Sequence, residues 1–215
     1  MSETKKLLVF STPVIVEQVD DADAINAELE KLIEARRAVD QGVQRSNAGG
    51  GWHSTQDFPA WSGEAGRRLI QEIGKLVRDH TVTVGGAPLP AWTIEGWANV
   101  SGAGASNKHH VHGGSFWSAV YYVRAPESDS GQLVLHDPRM PGLRMYHPTL
   151  RFKGAGPEQV FRLQPRSGLI VMFPSWLLHS VEPWEGEGER ISIAFNIMVG
   201  RRNAARPNSR PEGQG

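Results

Sequence analysis

Two stretches in the first half of the chain repeat apolar residues at intervals of three and four, which is the spacing of an amphipathic helix. The first covers residues 22–38 and can be capped by Asp21 or Asp23, because an aspartate oxygen accepts the free amide hydrogens at a helix start. The second covers residues 63–80. The apolar positions that define them are Ile25, Leu29, Leu32 and Ile33 in the first helix and Leu69, Ile73, Leu76 and Val77 in the second.

Short runs of aromatic and β-branched residues dominate the chain after Pro90 and are separated by Gly, Pro and Asp clusters. Residues 7–19 are also predicted to be extended, and Pro13 suits an edge strand because proline cannot donate a ladder hydrogen bond. Such strands favour a jelly roll or a related double-sheet barrel with the helices against one face. The strands predicted after Pro90 are residues 92–100, 116–124, 132–136, 159–163, 169–173 and 191–199.

The remaining segments are rich in Gly, Ser, Asn or Pro. Residues 42–57 are predicted to be a loop, and Trp52 and His53 within it suit either a flap over a site or, in preference, an ordinary disordered loop. Residues 201–215 are expected to form a disordered tail. We therefore predict one domain over residues 1–200, with a helical part at about 20–80 and a β core at about 90–200.

Composition narrows the possible partners and the compartment. Lys and Arg number 23, and so do Asp and Glu, so no net charge favours nucleic acid or an anionic membrane. The chain has no cysteine, which removes disulfides and thiolate metal ligands and fits a reducing compartment. No segment looks like a signal peptide or a membrane helix, and a cytoplasmic location is expected.

Three histidines form the main candidate for chemistry. On an extended segment His110 and His112 point to one face and His109 to the other, and His179 follows a later apolar strand that could lie beside them. Imidazole is a common ligand for iron, zinc and copper, and three such ligands leave positions on the metal open. The alternative is a set of unrelated buried histidines, which the third imidazole makes less favoured.

Arg190 and Ser192 form a second candidate, since they share a face of the last predicted strand. A planar guanidinium with a neighbouring hydroxyl can receive a carboxylate through two hydrogen bonds. A surface ion pair of Arg190 with Glu187 or Glu189 would be the alternative, and such pairs contribute little to stability.

The order of these motifs resembles the 2-oxoglutarate- and Fe(II)-dependent oxygenases, in particular the branch close to the prolyl hydroxylases. The resemblance covers roughly residues 97–196. The residues that carry it are Asn107, His110, Val111 and His112; Ser118, Tyr121 and Tyr122; Phe173, Pro174, Ser175, Leu177, His179, Ser180 and Val181; and Glu189, Arg190, Ile191, Ser192, Phe195 and Asn196.

The resemblance implies a mainly β fold with α elements, built as a double-stranded β-helix of the jelly-roll or cupin kind. It implies that His110 and His179 ligate Fe(II) and that His112 stands where a carboxylate is usual. Arg190 and Ser192, with Tyr122 as a further donor, would bind the far carboxylate of 2-oxoglutarate. The activity implied is hydroxylation of an unknown substrate by O2 with release of succinate and CO2.

Several further residues are weaker candidates. Asn99, Asn196 and Arg139 could face the substrate, although an Asp137–Arg139 ion pair is slightly preferred for the last. Tyr121 is expected to be structural, and Trp176 and Trp184 to serve packing.

Two other functions remain open at this point. Three histidines could hold zinc, or the iron or manganese of a cupin-type enzyme that acts without 2-oxoglutarate. A non-enzymatic β-sandwich that binds ligands through its aromatic residues is the second. The substrate could be a small molecule, a lipid or a protein side chain, and a homodimer is possible.

Overall fold

Two antiparallel sheets form the body of the computed structural model, which describes residues 5, 9–139, 147, 149–150, 152–153 and 159–200. A six-stranded sheet, here the major sheet, has the order β1-β9-β6-β11-β4-β3, and the five-stranded minor sheet has the order β2-β5-β10-β7-β8. The strands are β1 (Ile15–Gln18), β2 (Asn47–Ala48), β3 (Trp52–His53), β4 (Trp92–Ser101), β5 (Ser106–His110), β6 (Trp117–Arg124), β7 (Leu133–His136), β8 (Val160–Leu163), β9 (Leu169–Pro174), β10 (His179–Val181) and β11 (Arg190–Val199).

The helices cover the outer face of the major sheet. They are α1 (Ala22–Val39), α2 (Phe58–Trp61) and α3 (Gly63–Asp79), and a short 3-10 turn follows at Val84–Gly86. The apolar stripes of α1 and α3 join outward-facing residues of β4, β6 and β11, such as Ala98, Tyr121 and Ile193, in one buried cluster. Both predicted helices and their buttressing role are confirmed. The described chain contains no helix long and apolar enough to cross a membrane.

The cap predicted for α1 is not formed. Asp21 precedes the helix with a φ of 54° and makes no side-chain cap hydrogen bond. Asp23 lies in the first turn instead, where a negative charge favours the positive end of the helix dipole.

All six strands predicted after Pro90 are present, with ends shifted by at most one residue. Of the extended segment predicted at residues 7–19, the described part, residues 9–19, contributes β1 alone, which is an edge strand as expected. Pro13 lies before it. The predicted tail at residues 201–215 and most of residues 138–157 lie outside the described residues.

The loop predicted at residues 42–57 was wrong in part, because it contains β2 and β3. Between them Gly49 and Gly50 adopt positive φ values of 75° and 86°, and a Cβ on Gly49 would collide with the carbonyl of Gly104. This turn passes the chain from the edge of the minor sheet to the edge of the major sheet. His53 is therefore buried and ordered, which excludes the disordered loop that we preferred.

One buried hydrogen bond joins α1 to the major sheet. The hydroxyl of Tyr121 donates to Oδ1 of Asn26 over 2.7 Å, and both side chains are buried. The structural role expected for Tyr121 is thus confirmed.

Tyr121→Phe should lower the free energy of unfolding by about 1–3 kcal/mol, because it leaves the buried amide of Asn26 without its donor. Urea denaturation of the variant against the wild type measures the loss. The double variant Asn26→Leu/Tyr121→Phe is the control, since removing both partners should cost less than the sum of the single substitutions. Strict additivity would contradict this account.

Candidate metal centre and carboxylate receptor

A β-bulge in β5 positions the first histidine. His110 lies opposite His179 of β10, but Val181 lies opposite Asn107, so Lys108 and His109 together face Ser180. Lys108 and His109 are both exposed, while Asn107 and His110 both line the cavity between the sheets. The extra residue thus allows two side chains three positions apart to share the inner face.

The three predicted histidines meet at one end of the cavity. His112 lies two residues beyond β5, so it does not share a strand face with His110 as predicted, yet it reaches the same place. One ring nitrogen from each of His110, His112 and His179 lies within 4.8 Å of the other two. Nε2 of His112 is 3.2 Å from Nε2 of His179. His109 points away and contacts His136, with ring centroids 4.5 Å apart.

Backbone carbonyls orient two of the rings. Nδ1 of His110 lies 2.6 Å from the oxygen of Lys108, and Nδ1 of His179 lies 2.8 Å from the oxygen of Leu177. Since carbonyls only accept, the Nδ1 atoms carry the hydrogens and Nε2 keeps its lone pair. The Lys108 carbonyl is supplied by the bulge, so the bulge both aims His110 and sets its tautomer.

Burial keeps the cluster neutral. Burial, together with the smaller effect of the nearby His110, lowers the pKa of His179 to about 3 and that of His112 to about 4. Burial also lowers the pKa of His110. Neutral imidazole is the form that ligates a metal.

This arrangement fits a cation. Two nitrogens bound about 2.1 Å from one ion in adjacent octahedral positions would be about 3.0 Å apart, close to the 3.2 Å between His112 and His179. Without a cation, one Nε2 must hold a proton to bridge the pair. The donor set is therefore suited to iron or another divalent transition metal.

Four rows of inward-facing side chains cross the major sheet beside this cluster. The first contains Ser101 and Arg190; the second Asn99, Ser192 and Tyr122; the third Trp97, Ala194 and Val120; and the fourth Glu95, Asn196 and Ser118. The cavity between the sheets is lined by members of every row.

Arg190 lies at the end of the cavity that the first row forms, and two hydrogen bonds fix its position. Its exposed fraction is 2%, and it donates to the carbonyl of Gly131 over 2.5 Å and to the hydroxyl of Ser101 over 3.2 Å. The Nε of Arg190 is buried without a partner. The surface ion pair considered for Arg190 is absent, because Glu189 pairs with Arg37 and Arg124 instead.

The second row adds neutral hydrogen-bonding groups beside Arg190. Burial raises the pKa of Tyr122 to about 12, so its phenol stays protonated at neutral pH, and the side chain lines the cavity. Ser192 lines the cavity between Tyr122 and Asn99, whose Oδ1 is also buried without a partner. The buried guanidinium of Arg190, whose Nε–H has no partner, fits the carboxylate of a ligand such as 2-oxoglutarate.

The weaker candidates fall into different places. Asn99 lines the cavity, and Asn196 lies on the same face of β11 as Arg190 and Ser192. Arg139 forms the expected ion pair with Asp137 at 2.6 Å and is not among the cavity-lining residues. Trp184 is fully buried against Arg190 as expected, whereas Trp176 is 55% exposed, so the packing role predicted for it was wrong.

Several contributors were not assigned from the sequence. Trp97 lies against His112 at 5.7 Å between ring centroids and stacks on His53 at 5.5 Å. Ser118 was quoted as part of a motif without a role, although its even spacing from Tyr122 already placed both on one face. Asn107 shares the inner face only because of the bulge, which no local pattern marks.

The family comparison matches this part of the chain. Residues 95–196 fit the family model described as "Putative 2OG-Fe(II) oxygenase". The matched region contains all three histidines, Tyr122, Arg190 and Ser192. No curated protein sequence gives a significant match.

Solved structures of similar fold include a prolyl-4-hydroxylase from Pseudomonas putida, with 18% identity, a TM-score of 0.62, and coverage of 89% of this chain and 95% of that one. A prolyl hydroxylase from Trichoplax adhaerens in complex with a hypoxia inducible factor peptide fragment has 14% identity, a TM-score of 0.61, and coverage of 86% and 83%. HygX from Streptomyces hygroscopicus, with nickel and 2-oxoglutarate bound, has 16% identity, a TM-score of 0.56, and coverage of 88% and 86%.

These structures share a double-stranded β-helix fold with this chain. The non-enzymatic sandwich is thereby set aside, since the family is one of redox enzymes that use Fe(II), 2-oxoglutarate and O2. Residues 95–196 thus match the 2-oxoglutarate- and Fe(II)-dependent oxygenases, and the chain has the double-stranded β-helix fold of such enzymes.

Proposed function

We propose that His110, His112 and His179 hold Fe(II), that Arg190, Ser192 and Tyr122 hold the far carboxylate of 2-oxoglutarate, and that the enzyme hydroxylates a C–H bond of its substrate. The observation that carries the proposal is one cavity with three neutral imidazoles at one end and a buried, incompletely paired guanidinium at the other. We also propose a cytoplasmic location, because a chain without cysteine and a ferrous ion both suit a reducing compartment.

When bound, iron and 2-oxoglutarate supply the oxidation: O2 delivers one atom to the substrate C–H and one to succinate, and CO2 leaves. The chain's own residues provide position and shielding. The carbonyls of Lys108 and Leu177 fix the orientation of two imidazoles. Arg190, fixed by Gly131 and Ser101, sets the distance from the carboxylate receptor to the metal end of the cavity.

A zinc enzyme that activates water would use the same histidines. It would have no use for Arg190, however, because a hydrolytic or hydrating metal site needs no buried receptor for a second carboxylate. The incompletely paired guanidinium therefore favours the oxygenase.

Metal binding tests the ligand assignment with two adjacent residues. His110→Ala should weaken Ni²⁺ binding, measured by calorimetry under nitrogen, at least about 100-fold. His109→Ala is the matched control and should leave it unchanged, since that ring faces away from the cluster. Equal losses in the two variants would contradict the assignment.

Binding of 2-oxoglutarate tests the carboxylate receptor. Addition of 2-oxoglutarate to the anaerobic Fe(II) protein should produce a weak visible charge-transfer band, and Arg190→Gln should weaken 2-oxoglutarate about 10- to 100-fold while retaining metal. Tyr122→Phe, a smaller change, should weaken it about 3- to 10-fold. No band in the folded, iron-loaded wild type would overturn the proposed function.

Three neutral imidazoles carry no charge, whereas two histidines and a carboxylate carry one negative charge. His112→Asp should therefore keep Fe(II) affinity within about tenfold of the wild type. The aspartate side chain is shorter than that of histidine, but its negative charge attracts the cation and offsets the loss. His112→Asn, equal in size but neutral, should bind at least about tenfold more weakly than His112→Asp. If the two variants bind iron equally, position 112 is not a ligand.

A further inference from the structure

The fourth row of the major sheet lies on the side of the metal centre away from Arg190. The ring of His112 lies against Trp97 of the third row, and the ring of His179 lies 4.8 Å from that of Phe173, which pairs with Ser118. The histidine cluster thus faces the third and fourth rows. A 2-oxoglutarate extending from Arg190 to the metal would leave the fourth row uncovered.

Two neutral polar atoms in this row have no partner. Ser118 is only 2% exposed and lines the cavity, and its Oγ makes no hydrogen bond. Asn196 lies directly across from it on β11, and its Oδ1 is likewise buried and unpaired. A buried polar group without a hydrogen-bond partner lowers the free energy of unfolding, so we expect these two atoms to bind a polar group of a ligand. Neither Glu95, the ionisable residue of the row, nor Asn196 is among the cavity-lining residues, so Ser118 faces the cavity directly and Asn196 lies beside it.

Ser118 and Asn196 together favour a particular kind of ligand group. A hydroxyl and a primary amide each donate and accept, and neither carries charge. They complement an amide or a hydroxyl, and they offer no counter-ion for a carboxylate, phosphate or ammonium group.

The chain segments that adjoin His112 and His179 in the sequence also lack charged residues. Residues 111–116 and 174–178 contain no Asp, Glu, Lys or Arg. They expose four large apolar side chains instead, those of Val111, Phe116, Trp176 and Leu178. Exposed apolar groups next to a site favour an apolar ligand surface.

Part of the backbone of these two segments is already paired. The amide of His112 donates to the carbonyl of Ser175 over 3.0 Å, and the amide of Ser175 donates to the carbonyl of Phe116 over 3.1 Å. These pairs occupy backbone groups that an extended peptide would need in order to join the segments as a further strand. Recognition by side chains alone fits a small molecule better.

We propose that Ser118 and Asn196 form the subsite that orients the primary substrate, and that this substrate is a small uncharged molecule with an apolar body and one amide or hydroxyl group. The inference rests on the proposed function, because it takes the histidine cluster as the place of reaction. The apolar body would lie on Val111, Phe116, Trp176 and Leu178, and the polar group would turn toward the fourth row.

Three matched probes test the proposed substrate class: hydrocinnamamide, hydrocinnamate and propylbenzene. Their Kd values are measured on the anaerobic Fe(II)–2-oxoglutarate complex from changes in its visible band, and their proximity to iron from paramagnetic broadening of their proton NMR signals. Hydrocinnamamide should bind about tenfold more tightly than either analogue. Ser118→Ala and Asn196→Leu should each remove its advantage over propylbenzene without changing the Kd of 2-oxoglutarate.

Thr93→Ala is the control, since Thr93 is exposed on the same face of β4, beyond Glu95, and should keep the preference. Equal binding of the amide and the hydrocarbon, preference for hydrocinnamate, or unchanged discrimination in both variants would overturn the inference. Tighter binding of an N-acetylated, C-amidated Gly-Phe-Gly peptide would reassign the site to peptides. Absence of the visible band in the wild type would instead refute the proposed function, and the substrate class with it.

Discussion

The pairing of His110 with His179 across β5 and β10 is the constraint on which the site depends. It holds only because the bulge at Lys108 and His109 absorbs one extra residue opposite Ser180. The same bulge presents the Lys108 carbonyl to Nδ1 of His110. A regular strand through these residues would turn either Asn107 or His110 outward, since side chains alternate at every step.

The two faces of the major sheet have different roles: the outer face packs in the core, and the inner face lines the cavity. Its outer face joins the apolar stripes of α1 and α3 in the main core. Its inner face carries Arg190, Asn99, Ser118 and Asn196, each with a buried polar atom that lacks a partner. Such groups lower stability in the absence of ligand, and binding of the cosubstrate and substrate should offset part of that loss. The hydrogen bonds of Arg190 to Gly131 and Ser101 fix the guanidinium before any ligand binds, as the proposed carboxylate receptor requires.

Much of this organisation could be predicted from the sequence because it depends on local periodicity. The spacing of Leu69, Ile73 and Leu76 is enough to place α3, and alternation along β11 is enough to put Arg190 and Ser192 on one face. The meeting of His112 with the other two histidines was predicted correctly, but for a reason that the structure corrects, since His112 lies beyond the strand. The bulge, the strands of two residues at Asn47 and Trp52, and the partners of Arg190 depend on pairing between distant segments. No local pattern encodes such pairing, so Gly131 and Ser101 could not have been identified as the frame of the guanidinium.

Turnover of 2-oxoglutarate tests the central claim most directly. The substrate is 2-oxoglutarate labelled in the carboxylate next to its keto group, and the reaction is supplied with O2 and Fe(II)-loaded enzyme. The account predicts release of labelled CO2 and an equal amount of succinate, slowly without primary substrate, and no release from the His179→Ala variant. Folded, iron-loaded wild type that releases no labelled CO2, or a His179→Ala variant that releases it at the wild-type rate, would contradict the account.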